Sequence, residues 1–262
     1  MNITEQVINS TVNAVRQAGQ LIISAWDKPR NIRYKGPIDL VTDTDVAVEE
    51  NLKTSLGKIL PEADFLAEES ASDTALAQGP TWIIDPLDGT TNFAHKIPFV
   101  AVSVGLWTGS DVDLGLVYLP ILDEMFWAAK GKGAYCNEQA INVSQTTTLK
   151  PALIATGFPY SLLKDINSII TNMRNALVNT RGVRRCGSAA TDLAYTAAGR
   201  FDGFYELGLK PWDTAAGVCL IREAGGKIST FDGSPYKPGM REILGSNGHI
   251  HQQLSGILTR SD

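Results

Sequence analysis

A chain of 262 residues with 44% hydrophobic and 19% charged residues can build a packed core, which excludes a disordered protein. The formal net charge of −5 argues against a surface built wholly for nucleic acid. No apolar run approaches the roughly 20 residues that span a bilayer, and the opening Met-Asn-Ile-Thr-Glu-Gln lacks a signal-peptide pattern.

In chain order, Ile8, Val12, Val15, Ile22 and Trp26 recur at helical spacing and predict an amphipathic helix over 3–26, with Asn2 and Glu5 as a capping box. A second helix is expected over 43–59, ended by Pro61, and a short strand over 63–68. Trp82-Ile83-Ile84 suits a buried strand. Residues 99–107, 112–119 and 124–128 read as an antiparallel meander, broken at Gly109-Ser110 and Pro120. The second half alternates: strand 152–156, helix 162–178, strand 183–186, then a helix capped by Ser188 through Ala198 and a strand over 204–207. A helix over 211–224 has Pro near its start and Gly225-Gly226 at its end. Strands over 227–230 and 242–244 and a short closing helix follow. A meander half and an alternating half predict layered sheets and helices.

The run Trp-Ile-Ile-Asp-Pro-Leu-Asp-Gly-Thr-Thr-Asn-Phe, residues 82–93, carries the most chemistry. Asp85 and Asp88 close an apolar strand, where like charges repel unless protons or cations intervene. Mg²⁺ typically takes one or two carboxylates plus substrate phosphate, and a Gly-Thr turn leading into a helix offers N–H groups to an anion. Other acids have bland readings beside functional ones. Glu68-Glu69 suits a solvated loop; Asp43, Asp45 and Asp213 suit helix N-termini, where a carboxylate is worth about 0.3–1 kcal/mol. Gly187-Ser188-Ala189 is a fair but common anion-binding turn, and Arg184-Arg185 reads first as a solvated face. His95, His249 and His251 lack metal spacing, and His249 and His251 are expected at the surface. Walker and nucleophile-elbow motifs are missing, so a P-loop kinase or serine-hydrolase reading has no support. Cys136, Cys186 and Cys219, odd in number and widely spaced, are expected as reduced thiols in a cytoplasmic protein.

Asp-Pro-Leu-Asp-Gly-Thr-Thr-Asn-Phe, in order with Glu-Glu-Ser at 68–70 and Trp-Asp-Thr-Ala-Ala-Gly at 212–217, resembles the inositol monophosphatase family of Mg²⁺-dependent, lithium-sensitive phosphatases. The likeness runs from Lys35 to about Gly226. It implies one α/β (α+β) domain over 1–262, a layered αβαβα sandwich of the inositol monophosphatase and fructose-bisphosphatase type, usually a homodimer. It implies that Glu68, Asp85 and the Leu87 carbonyl hold one Mg²⁺, that Asp85, Asp88 and Asp213 hold a second, and that a third sits near Glu68. Thr90, with Asp45 behind it and Glu68 nearby, would orient the attacking water. The Gly89 and Thr90 N–H groups would bind phosphate oxygens. Substrate hydroxyls would meet Asp88, the Gly187-Ser188-Ala189 turn and Glu206, with Lys210 near the leaving group and Lys35 as a mobile cover. Two departures from the family pattern are Ala67, where Gly is common, and a Lys35-Gly36-Pro37 segment one residue shorter than in some relatives.

The implied substrate is myo-inositol 1-phosphate. Fructose 1,6-bisphosphate, 3′-phosphoadenosine 5′-phosphate and histidinol phosphate are the alternatives, and substrate choice depends on pocket shape. A different class of function, association with RNA or transcription factors, would draw on Arg184, Arg185 and Lys210. Charge counting favours cations in the site. Glu68, Asp85, Asp88 and Asp213 carry four negative charges, and a phosphate monoester adds about −1.5 to −2. Two Mg²⁺ leave this sum negative, and three bring it near neutrality.

Overall fold

The computed structural model describes residues 3–28, 32–34, 40–159 and 162–258; Lys35 and Asn2 lie outside them. Elements are numbered in chain order. Helices α1 (Glu5–Ala25) and α2 (Asp43–Ile59) cover one face of a seven-stranded sheet. That sheet follows chain order: β3 (Asp64–Ala67), β4 (Pro80–Asp88), β5 (Ala101–Thr108), β6 (Val112–Leu119), β7 (Glu124–Ala129), β8 (Gly133–Cys136) and β9 (Gln139–Ile141). Strands β3 and β4 run parallel, and the remaining neighbours are antiparallel. The opposite face carries α5 (Ala189–Ala197) and α6 (Pro211–Glu223). A second sheet lies beyond them, with β11 (Gly182–Arg184), β10 (Leu153–Thr156), β12 (Gly203–Leu207), β14 (Glu242–Ser246) and β13 (Lys227–Ser229) side by side. Helices α4 (Leu162–Asn179) and α7 (His251–Ser255) pack on its outer side. The layers therefore run αβαβα.

Period-two alternation along the strands builds the layers. On β5, Val102, Val104 and Leu106 pack toward α1 and α2, whereas Ala101 and Trp107 pack toward α5 and α6. Between them on that second face stands Gly105, matched across the ladder by Gly115 of β6. An added Cβ at Gly115 would lie 2.5 Å from the Ala216 carbonyl oxygen. The two glycines let the α6 backbone approach the sheet, which sets the position of the whole helix. Gly115→Val is expected to lower stability by about 1–3 kcal/mol through overpacking, read as a lower urea midpoint with unchanged slope; an unchanged midpoint would show that α6 has room to withdraw.

Most predicted elements are present with ends shifted by a few residues. Four differ more. Thr4, not Asn2, caps α1, its hydroxyl accepting from the Val7 N–H at 3.3 Å. The meander continues into β8 and β9, whose segments are too short to show alternation. A hairpin of β1 (Ile32–Tyr34) and β2 (Leu40–Thr42) leads into α2. His251 is buried, not at the surface: Ser229 and Ser246 hydroxyls flank its ring nitrogens at 2.7 and 2.8 Å. Burial lowers its pKa to about 4. His249 is exposed as expected. The three cysteines are free thiols. Among the described residues no helix is long and apolar enough to cross a membrane.

Candidate active site

Residues three apart on a regular strand face opposite sides of a sheet. Asp85 and Asp88 do not. Asp85 pairs with Ser103 and Asp88 with Ala101, so β4 spends one residue more than β5 across this stretch, a β-bulge. The extra residue restores parity and puts both carboxylates on the α6 side. Pro86 fits there because a bulge tolerates a residue with no N–H to donate. Strand β4 runs from Pro80 through the bulge to Asp88, so the two acids close it as the sequence implies.

Three further elements converge on this point. The end of β3 runs beside β4, and the Glu68 N–H donates to the Ile84 carbonyl at 3.1 Å, which seats Glu68 next to Asp85. Pro211 starts α6, and Asp213 in its first turn accepts from the Lys210 N–H at 2.6 Å. Ser188 caps α5 and donates its hydroxyl to Asp88 at 2.7 Å, while the Ala190 N–H reaches the same oxygen at 2.7 Å. Asp85 accepts from the Leu87 N–H at 3.0 Å. Asp85, Asp88 and Asp213 thus each fix one oxygen to the scaffold. With Glu68 they line an open cleft of about 420 Å³, a volume suited to a small ligand.

Gly89 follows at φ +92°, and a Cβ there would lie 2.8 Å from the Phe99 carbonyl oxygen, so both conformation and space require glycine. The chain then enters α3 (Thr90–Ala94). The Thr90 hydroxyl lies 3.1 Å from Asp45 Oδ1 and 3.1 Å from the Leu87 carbonyl oxygen. Asp45 is buried at the start of α2 and is held by the Thr42 N–H and hydroxyl. Asp43, two residues earlier, is exposed and pairs with Arg33. Across the cleft stand Gly187, Ser188, Ala189, Glu206 and Lys210. Glu206 is buried on β12 and accepts no hydrogen bond from a described residue.

Burial is the first cause of the raised pKa at Asp85, and Glu68, Asp88 and Asp213 raise it further by repulsion. Asp213 is pushed up by burial and then by Asp88 and Glu68. Burial raises Asp88 to about 6 against the opposing bonds from Ser188 and Ala190. A carboxyl whose folded pKa exceeds its unfolded 3.8 stabilises the fold below that value and loses this contribution as pH rises through about 6. In chelator, the urea midpoint of the protein should therefore fall relative to Asp88→Asn between pH 4 and 6.5. A constant gap would mean Asp88 titrates alike in both states.

A family model described as the inositol monophosphatase family matches residues 3–261. The chain belongs to the inositol monophosphatase family. It is 41% identical to an inositol monophosphatase of Dictyostelium discoideum, over 98% of this chain and 97% of that one. It is 43% identical to an inositol-1-monophosphatase of Synechocystis, over 94% and 86% of the two chains. The crystal structure of the extragenic suppressor protein suhB from Bartonella henselae superposes with a TM-score of 0.91 at 38% identity, covering 98% of this chain and 99% of that one. Membership makes the chain a phosphoric monoester hydrolase.

Within this member of the inositol monophosphatase family, further residues stand at or behind the cleft. Arg185 is exposed, as a solvated face requires, and also lines the cleft, its guanidinium 5.6 Å from the Phe158 ring centre. Asp192 on α5 also lines the cleft, and burial raises its pKa well above the ordinary carboxylate range. Asn92 uses its buried amide to tie the Asp-Gly-Thr-Thr-Asn segment to the substrate side, donating to the Phe99 and Cys186 carbonyls at 2.7 and 2.8 Å. Glu49 carried a readable signal, standing four residues after Asp45 on the same helix face. Lys35 lies outside the described residues.

Proposed function

We propose that the cleft hydrolyses the phosphate monoester of a small polyol, with myo-inositol 1-phosphate as the preferred substrate, and that the chain works as one domain over 1–262. The observation that carries this reading is the bulge in β4, which turns Asp85 and Asp88 into the cleft that Glu68 and Asp213 also line. The donor set fits Mg²⁺. Four oxygen-bearing acids repel one another there, a repulsion that divalent cations relieve. Among the described residues no three acid, His or Cys side chains are drawn together tightly enough to hold a cation unaided. Mg²⁺ typically keeps several waters and shares its shell with substrate phosphate. Glu68, Asp85 and the Leu87 carbonyl would hold one Mg²⁺ and Asp85, Asp88 and Asp213 a second, with a third near Glu68. When bound, Mg²⁺ supplies Lewis acidity toward phosphate oxygens and lowers the pKa of water.

The chain's own groups do the rest. The Thr90 hydroxyl accepts a hydrogen bond from the attacking water and donates its own proton toward Asp45, whose carboxylate burial makes more basic than usual. Lys35 would cover the site. The Gly89 and Thr90 N–H groups hold phosphate oxygens. Asp88, the Gly187-Ser188-Ala189 turn and Glu206 receive substrate hydroxyls, and Lys210 meets the leaving group. Phosphate release measured with Mg²⁺ over inositol, sugar, nucleotide and histidinol phosphates tests this reading. Inositol 1-phosphate should give the highest kcat/KM and Li⁺ should inhibit; faster turnover of fructose 1,6-bisphosphate, 3′-phosphoadenosine 5′-phosphate or histidinol phosphate would overturn the substrate assignment.

The homodimer expected of the family has a face to use. Ile166, Ile170, Leu177 and Val178 are exposed along α4, and sedimentation at increasing concentration reads the assembly. The RNA-associated alternative gains nothing from the fold, because Arg185 and Lys210, two of its three basic residues, lie at the substrate cleft.

A further inference from the structure

The α2 helix presents two buried carboxylates one turn apart, Asp45 and Glu49. Asp45 holds Thr90. Glu49 is not among the cleft lining, yet one of its oxygens meets the segment that carries Glu68 directly and the other reaches it through Lys53. Glu49 Oε2 accepts from the Glu69 N–H at 2.8 Å. Glu49 Oε1 accepts from Lys53 Nζ at 3.0 Å, and Lys53 in turn donates to the Ser70 hydroxyl. Residues 68–70 turn away from the sheet directly after β3, with the Ala67 carbonyl receiving the Ser70 and Ala71 N–H groups at 3.3 and 2.8 Å. Glu68 itself is half-buried, attached to the sheet through its own N–H at 3.1 Å. A loop just past a strand end is free to swing unless its next peptide is tied down, and the tie here is a partly buried, charge-assisted hydrogen bond to a neighbouring helix.

We infer that Glu49 is a positioning residue for Glu68, given the reading of Glu68 as a metal ligand, and that α2 carries the supports of both the metal side and the water side of the site. A carboxylate is well suited to this because each oxygen serves a different donor: one the peptide after Glu68, the other the lysine that braces Ser70. Partners that orient a ligand without touching the cation typically change metal affinity or activity by about 10–100-fold. Because Asp45 and Glu49 ride on the same rigid turn, a displacement of α2 moves Thr90 and Glu68 together.

Calorimetric titration of Mg²⁺ into substrate-free protein, beside the Mg²⁺ dependence of phosphate release, tests this. Glu49→Met keeps the helix and most of the side-chain volume, and should weaken Mg²⁺ binding by about 10–100-fold. Its turnover should largely recover at saturating Mg²⁺. Glu49→Asp keeps the charge but withdraws the acceptor by one methylene, and should fall with Glu49→Met. Glu49→Gln retains one carbonyl oxygen for the Glu69 N–H but turns a donor toward Lys53, and should bind Mg²⁺ more weakly than wild type and more tightly than Glu49→Met. A Glu49→Asp or folded Glu49→Met protein that binds Mg²⁺ as wild type does would overturn the positioning role, as would a Glu49→Gln protein that binds more weakly than Glu49→Met. Glu68→Gln separates the two readings. If it weakens Mg²⁺ binding while the Glu49 variants do not, the positioning inference alone fails; if it leaves Mg²⁺ binding unchanged, the metal role of Glu68 fails and the inference falls with it.

Discussion

Asp85→Asn should lose turnover by more than the 10–100-fold that even outer partners of a metal ligand cost, while the metal-free protein becomes more stable at pH 7. The first effect follows from its proposed place between both cations: a neutral amide cannot supply the bridging charge. The second follows from its surroundings. Asp85 is buried, and Glu68, Asp88 and Asp213 all raise its pKa by repulsion. Removing one charge from such a group relieves desolvation and repulsion together. The carbonyl oxygen of asparagine can still accept from the Leu87 N–H, so the bulge has no reason to collapse. Mg²⁺ should therefore raise the melting temperature of the wild-type protein, because a ligand that binds only the folded state stabilises it, and should raise that of Asp85→Asn far less. A folded Asp85→Asn protein with near-wild-type turnover would sink the metal assignment. One that loses activity but gains no metal-free stability would show that the acids do not burden the fold.

The second large effect is at Thr90. Thr90→Ala should lower kcat by about 10²–10⁴, the range for a lost acid–base group, with Mg²⁺ affinity close to wild type. Thr90 sends its hydroxyl toward Asp45 and the Leu87 carbonyl, and no carboxylate of its own enters the cleft. Thr90→Ser keeps the hydroxyl and should keep much of the rate. Asp45→Asn should resemble Thr90→Ala in kcat, because a carboxamide oxygen can orient the hydroxyl but cannot take up its proton. A Thr90→Ala protein with a normal kcat and a weakened Mg²⁺ titration would reverse the proposed division of labour.

Much of the site was legible before any fold was known, since Asp85, Asp88, Gly89 and Thr90 lie within one short run and their chemistry is local. The ends of α2 and α6 were equally readable, because Pro61 and Pro211 act on the backbone beside them. Asp213 was placed in the first turn of α6 and is found there. Glu206 was named from resemblance alone; what makes it available, burial without an internal donor, is a property of the packed sheet. His251 is buried where the surface was expected, because exposure is decided by what packs above a residue. It sits between Ser229 and Ser246.

The amino-acid sequence by itself determined the helix and strand periodicity, the layered class and the identity of the acids, because side-chain period and turn chemistry are local. The tertiary structure decided which way the acids face. A three-residue spacing on a strand places two side chains on opposite sides, and only the pairing of β4 with β5 reveals the extra residue that brings Asp85 and Asp88 to the same side. Likewise Asp213 reaches them only because Gly105 and Gly115 let α6 lie close on the sheet, a contact that no spacing along the chain encodes.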